Sequence, residues 1–268
     1  MPSTMPETLR LSQSFGQVKR DGESMMTVGE RDTFDSLIRK LEQLRELDAE
    51  DRAAIAALTF EIRPAQPGQY LVREGSEIAE CCLLLTGYAC RHKMTSEGGR
   101  QIVSFHLPGD MLDLQHLLFS RADHNVQTIT AATIAWVPAA ELKQLALDRP
   151  NVAEALWRDC LVDASIFREW ILNVGRRDAK SRVAHMLCEF AARRQSAGLG
   201  DPERFDLPMS QEQIADATGL TAVHVNRMLH SLSAEGVITR DKRLVEILDW
   251  ERMRRIADFD PAYLHAAA

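Results

Sequence analysis

No apolar run in the 268-residue sequence approaches the roughly 18 or more residues that a membrane-spanning helix needs, so no transmembrane segment and no membrane partner are expected. Met1 to Glu30 is polar and mixed in charge, without the apolar stretch of a secretory signal, and the protein is expected to be cytoplasmic. Aromatic residues are scarce, at 6%, which points to a mostly aliphatic core. The five cysteines, Cys81, Cys82, Cys90, Cys160 and Cys188, are odd in number and include no CxxC pair. That excludes a disulfide framework and leaves the thiols reduced. The adjacent Cys81 and Cys82 should point to opposite faces of one strand. A Walker loop, GxSxG, HExxH and GxGxxG are all missing, so no catalytic function is expected. A cupin-like metal enzyme is the alternative on a β-barrel, but it needs an HxH pair followed closely by Glu, and none is present. No metal site is therefore expected.

Hydrophobic residues at 45% and charged residues at 26% are ordinary for a globular chain, and the length suits two modest domains. The net charge of −7 is unevenly spread. Residues 1–175 carry 18 basic against 25 acidic side chains, while 176–258 carry 14 against 13. Phosphate binding depends on a local basic surface, so this balance permits nucleic-acid binding without requiring it.

Residues 1–32 show no helical or strand period and are expected to form a flexible tail. A helix is expected from about Thr33, with Phe34, Leu37, Ile38, Leu41 and Leu44 at spacings of three and four, and a second from Ala49 to Leu58. From Phe60 onward, short apolar stretches alternate with turns at Pro67-Gly68, Gly75, Gly87, Gly98-Gly99 and Pro108-Gly109. The stretches Tyr70–Val72, Cys82–Leu85, Gln101–Phe105 and Ile129–Val137 read as strands of an antiparallel sandwich or barrel.

A long helix follows from about Pro150 to Val174, proline being well placed at a helix start. Ala153, Leu156, Cys160, Asp163, Phe167, Trp170 and Val174 keep a strict 3,4 spacing, the pattern of a coiled-coil seam. Two readings stay open. The seam, Leu156, Cys160, Asp163, Phe167, Trp170 and Val174, meets a partner helix while a second line, Trp157, Leu161, Ala164 and Ile171, packs on the chain itself; or the seam packs on its own domain. Asp163 in a symmetric seam would need a pair or water. Gly175-Arg176-Arg177 reads as a hinge, Asp178–Gln195 as another helix and Ser196–Pro202 as a loop.

The segment from Met209 to Thr239 is the most informative. Ser210 followed by Gln213 forms a capping box for a helix that buries Ile214 and Ala215. Gly219 supplies a left-handed turn, and Thr221 can cap a second helix that buries Val225, Leu229 and Leu232. A small residue, a turn glycine and a branched apolar residue in this order fit a helix-turn-helix. Gly236 ends the second helix, and Val237–Arg240 and Leu244–Leu248 then form a hairpin around Asp241-Lys242-Arg243, a basic wing. Thr221, Ala222, Val223, Asn226 and Arg227 lie near the second helix's N-terminus, where side chains meet base edges. Arg227 suits guanine, Asn226 adenine, and Val223 a thymine methyl, with Lys242 and Arg243 on phosphates. His224 and His230 are expected to touch phosphate or to be structural. A helical hairpin used only for protein contacts is the competing reading.

These residues resemble the Crp/Fnr superfamily, the cAMP receptor protein and fumarate-nitrate reduction regulator group of bacterial transcription factors. The likeness covers about residues 34–250 and is strongest over Gln211–Ile238. "GLTAVHVNRML" looks like the recognition helix, with Arg227 at the family's base-reading arginine. An acidic residue often placed three or four positions earlier is replaced by Val223 and His224, which implies a different half-site. The resemblance implies an α+β fold: a jelly-roll-like antiparallel β-roll sensor over 33–149, a dimerisation helix over 150–175, a winged helix-turn-helix over 176–258 and a tail over 259–268. The implied function is a homodimeric regulator that reads a palindromic site, with double-stranded DNA, a second copy and RNA polymerase as partners.

The cAMP-binding members hold the nucleotide through a glutamate and an Arg-Ser pair. Leu114 and Ala122-Asp123 stand at those places, with Arg121 one residue away, so cAMP is not expected. An iron-sulfur cluster needs N-terminal cysteines, and residues 1–80 contain none. Haem stays open, with His92, His106, His116, His124 or a cysteine as axial ligand. Cys188 is either a redox switch or a small buried hydrophobe. No cofactor is expected, and some family members need no ligand.

Overall fold

The computed structural model describes residues 33–265, so the tail expected over 1–32 lies outside the described residues. Two helices, α1 (Asp35–Leu44) and α2 (Ala49–Ala56), open this region. Asp48 starts α2 with a capping box closed by Asp51. Seven strands follow: β1 (Glu61–Ala65), β2 (Tyr70–Val72), β3 (Glu80–Thr86), β4 (Ala89–Met94), β5 (Arg100–His106), β6 (Asn125–Thr128) and β7 (Ala132–Pro138). They form two antiparallel sheets ordered β1-β7-β3 and β2-β6-β4-β5, the β-roll. The single strand expected over Ile129–Val137 is shorter at its start. A turn at Ile129–Ala131 separates β6 in one sheet from β7 in the other. Cys81 and Cys82 do point to opposite faces of β3, one into the core under α1 and α2, the other into the roll interior.

A helix not foreseen in the sequence, α3 (Ala139–Asp148), leads into the long helix α4 (Pro150–Arg176), with proline in its first turn. The expected break at Gly175 is displaced: the helix continues through Gly175, and Arg177 is the extended residue. The next helix, α5 (Ala179–Ser196), is capped by Asp178, whose side chain accepts from the Ser181 backbone N–H.

The two halves of the chain share one core. Cys90, Ile102 and Phe105 of the roll, Ile166 and Trp170 of α4, and Leu187 and Phe190 of α5 pack in a single apolar cluster. Burying such a side chain contributes about 1.5–3 kcal/mol, so the C-terminal half is seated on the β-roll by apolar area. Two buried carboxylates, Asp110 and Asp159, sit alongside with half-buried basic partners. Lys40 reaches Asp110 at 2.9 Å and Asp159 at 2.7 Å, and Arg193 of α5 reaches Asp110 at 3.0 Å. Burial alone would raise the Asp110 pKa, but Lys40, His106 and Arg193 together hold its carboxyl well below the usual range. Glu189 accepts from Trp170 Nε1 at 3.0 and 2.9 Å and from the Tyr263 hydroxyl at 2.7 Å, while burial pushes its pKa up.

The residues expected as a C-terminal tail are packed as far as the described chain extends. Pro261–Leu264 form a 3-10 turn, with Phe259 and Leu264 buried and Tyr263 against His185. Three aromatic or aliphatic side chains so close together leave this stretch too apolar to stay in water.

Candidate nucleic-acid interface

The helix-turn-helix is built from α6 (Gln211–Thr218) and α7 (Ala222–Ala234). Gln213 N donates to Ser210 Oγ at 3.2 Å, and Ser210 N donates to Gln213 Oε1 at 2.8 Å. This capping box fixes where α6 starts. Gly219 ends it in the left-handed region at φ +66°, where a side chain would be strained. Thr221 then caps α7 by accepting from His224 N at 3.2 Å. Val225, Leu229 and Leu232 are fully buried, which turns the opposite face outward.

That outer face carries Val223, 71% exposed, with Arg227 and His230 also exposed. Thr221 is exposed, while Ala222, His224 and Asn226 are half-buried. Asn226 is not a free amide, because Gln211 Nε2 donates to its Oδ1 at 3.1 Å. Sequence reasoning missed Gln211; its place at the first position of α6 was the available signal.

The wing is a three-stranded sheet, β8 (Arg204–Asp206), β9 (Ile238–Asp241) and β10 (Leu244–Ile247), in the order β8-β10-β9. β8 was not foreseen. Asp241, Lys242 and Arg243 are all exposed at the turn, Lys242 at φ +53°. A last helix, α8 (Trp250–Ala257), packs on α5. Behind the motif, Glu235 at the end of α7 is held by Lys180 at 2.9 Å, and Arg182 Nη1 donates to the Thr218 carbonyl at 3.2 Å.

The face of α4 assigned to a partner helix is corrected. Leu156 and Trp170 are 3% and 7% exposed, buried within the chain's own cores. Asp163 pairs with Arg91 of β4 at 3.0 Å. Phe167 and Val174 are half-buried beside a cleft, and Cys160 is exposed. The exposed line is the other one, with Trp157 at 68%, Leu161 at 65% and Ile171 at 70%. Two apolar lines run along α4, and the sheet covers the one whose aspartate it can neutralise.

The cleft, about 880 Å³, lies between β4, β5, α4 and the segment Gln115–His124. Arg91 and Lys93 line it with Phe119, Phe167 and Trp170. Arg91 is already spent on Asp163 and on the Leu112 carbonyl, at 2.6 Å. Leu114 and Ala122 are buried, Arg121 is exposed and 3.3 Å from Glu77, and Asp123 contacts His124 Nδ1 at 2.7 Å. His116 and His124 stack at 6.0 Å, each with Nδ1 on a carboxylate and Nε2 buried without a partner. His92 packs edge-on to Tyr70, and His106 meets Ser104 Oγ at 3.0 Å. Among the described residues no three His, Cys, Asp or Glu side chains converge as a metal group. Cys188 is fully buried in the shared core, where burial pushes its thiol up to about 12.

A winged helix-turn-helix seated on a nucleotide-sensor-type β-roll defines a DNA-binding transcription regulator. The comparisons agree. Residues 181–256 match the Crp-like helix-turn-helix domain, and residues 62–149 match the cyclic nucleotide-binding domain. The chain is 28% identical over 217 residues to the transcriptional activator protein FnrL of Cereibacter sphaeroides, covering 80% of this chain and 86% of the relative. It is 29% identical over 203 residues to the nitrogen fixation regulation protein FixK of Rhizobium meliloti, covering 72% and 85%. The solved structure of FixK2 from Bradyrhizobium japonicum superposes with a TM-score of 0.69 at 26% identity, over 74% of this chain and 98% of that one. The chain belongs to the Crp/Fnr family of transcription regulators.

Proposed function

We propose that the protein binds a two-fold symmetric DNA site as a homodimer and activates transcription through RNA polymerase, as the name of the activator FnrL suggests by likeness. The observation that carries this reading is the recognition helix. Val223 and Arg227 stand exposed on α7, and the exposed wing residues Lys242 and Arg243 supply positive charge at the neighbouring turn. Thr221, Ala222 and His224 complete the reading end of the helix. The two recognition helices should sit in major-groove segments about one helical turn apart.

The second copy is the occupant proposed for the exposed line Trp157, Leu161, Ala164 and Ile171 of α4. Its spacing of 4, 3 and 7 keeps one face of the helix over about four turns. Phe119, also exposed, lines the cleft together with Ile171 and widens the apolar surface to be covered.

The sensor is proposed to work without a cyclic nucleotide. A phosphate at Ala122-Asp123 would face a carboxylate, and the one buried arginine of the cleft is already engaged by Asp163. No haem or iron-sulfur cluster is proposed, and neither is a catalytic role. The described helices include none long and apolar enough to cross a membrane, and a cytoplasmic location is proposed.

Sedimentation of the purified chain with a recovered duplex tests the assembly, the expected result being two protomers per duplex and binding that weakens steeply with salt. One protomer per duplex would contradict it.

A further inference from the structure

The recognition helix carries an amide whose orientation is set from outside it. Gln211 opens α6, and the Ser210–Gln213 capping box fixes its backbone. Its Nε2 donates to Oδ1 of Asn226, one turn into α7, at 3.1 Å. Asn226 is half-buried on the flank of α7, beside the exposed Arg227 and one turn from the exposed Val223 and His230, at the edge between that outer face and buried Val225 and Leu229. A carboxamide is two-sided, with an acceptor oxygen at one end and an NH2 donor at the other. When α6 engages the oxygen, the nitrogen is the end left for a partner outside the protein.

We propose that Gln211 is a positioning residue for base recognition, holding Asn226 so that its Nδ2 faces the major groove and reads the base as a donor. The proposal rests on the DNA-binding reading of α6 and α7 given above. A donor in the major groove separates the four bases by what each offers. Guanine presents two acceptors, N7 and O6. Thymine presents O4, and adenine presents N7 next to a competing donor. Cytosine presents only a donor. Asn226 therefore ranks guanine first and cytosine last, in place of the adenine expected from the asparagine alone. Specificity at this base pair belongs to two helices, not to the recognition helix by itself.

The alternative role for a polar residue at the start of α6 is a phosphate contact, which carries no sequence information. Substitutions at position 211 separate the two. The full chain, as wild type and as Gln211→Glu, Gln211→Lys and Gln211→Ala, is titrated against the duplex that wild type recovers from a random library. The same titration is made on its single-base variants. Gln211→Glu keeps the side-chain shape but can only accept, so Asn226 must turn, donate to it and present Oδ1. The preference at one base pair in each half-site then moves from guanine to cytosine, by roughly tenfold in relative affinity. Gln211→Lys can only donate and keeps the guanine preference, while Gln211→Ala flattens it. Because the readout is a ratio between sequences, any uniform loss from adding a carboxylate near DNA cancels. Thermal melting of each variant reports whether it is folded. Uniform weakening on all variants, or an unchanged preference in all three substitutions, overturns the proposal. If wild type recovers no duplex, the DNA-binding reading itself has failed, and the Gln211 proposal falls with it.

Discussion

Arg100 on β5 and Asp216 on α6 form an ion pair, Nε to Oδ2 at 2.7 Å, that ties the sensor sheet to the first helix of the helix-turn-helix. One residue on, Gln101 Nε2 donates to the Ala217 carbonyl at 3.2 Å. The hairpin β4–β5 thus touches the helix that carries Gln211, and the cleft below it touches α4. A change in the roll has a short physical route to the DNA-reading face.

Both partners of the Arg100–Asp216 pair are a little under a third exposed, so their coupling should be modest, about 0.5–1 kcal/mol, and screened by salt. A double-mutant cycle with Arg100→Ala and Asp216→Ala, read by urea unfolding, measures it. The coupling should fade in molar salt. A coupling that persists there would show that the contact is held by something other than charge.

Leu161→Asp and Leu156→Asp should behave differently although they lie five residues apart on one helix. Leu161 is exposed, so the first should leave a folded chain and abolish the dimer in light scattering. Leu156 is buried, and an unpaired carboxylate there should cost several kcal/mol and unfold the chain. A folded dimer of Leu161→Asp would show that the partner covers some other face.

His185 gives the fold an acid-labile point. Burial, assisted by the Arg177 cation, pushes its pKa down to about 3. Glu169 Oε1 lies 3.2 Å from Nε2 and would favour the imidazolium, but that oxygen is taken by Arg177 at 2.7 Å. Between pH 6.5 and about 3 the unfolded chain binds a proton at this residue and the folded chain does not. Stability is therefore full above pH 6.5 and falls by about 1.4 kcal/mol per pH unit below it. Between pH 7.5 and 5, wild type should lose about 2 kcal/mol more than His185→Phe, which keeps the ring between Phe259 and Tyr263. Equal losses in denaturant titrations would contradict the assignment.

Two glycines should respond to alanine with opposite signs. Gly219 has φ +66° with room for a Cβ, so Gly219→Ala costs backbone strain of about 1 kcal/mol. Gly175 lies inside α4, and the place a Cβ would take there has no neighbour within 4 Å. Gly175→Ala should therefore stabilise by about 0.5–1 kcal/mol. Melting temperatures moving the same way would contradict one of these assignments.

The DNA-binding motif was legible because its determinants are local: a cap at Ser210, a turn at Gly219 and a cap at Thr221 act within a few residues of themselves. The β-roll was legible from turn glycines. What escaped the sequence depends on distant partners. β8 is three residues long and exists because Phe205 pairs with Val245 of β10. The choice between the two apolar lines of α4 turns on Arg91, 72 residues before Asp163. Lys40, Asp110, Asp159 and Arg193 look like ordinary surface charges until the fold brings them together around two buried aspartates. The same holds for Asn226, whose free amide was an assumption until Gln211 was placed beside it.

The most direct test is selection from a random duplex library with wild type and with Arg227→Ala. Wild type should enrich a two-fold symmetric site, and Arg227→Ala should lose discrimination at one base pair per half-site by about 1–3 kcal/mol while still binding duplex. Equal weakening on every sequence would make Arg227 a phosphate contact, and no enrichment by wild type would contradict the account at its centre.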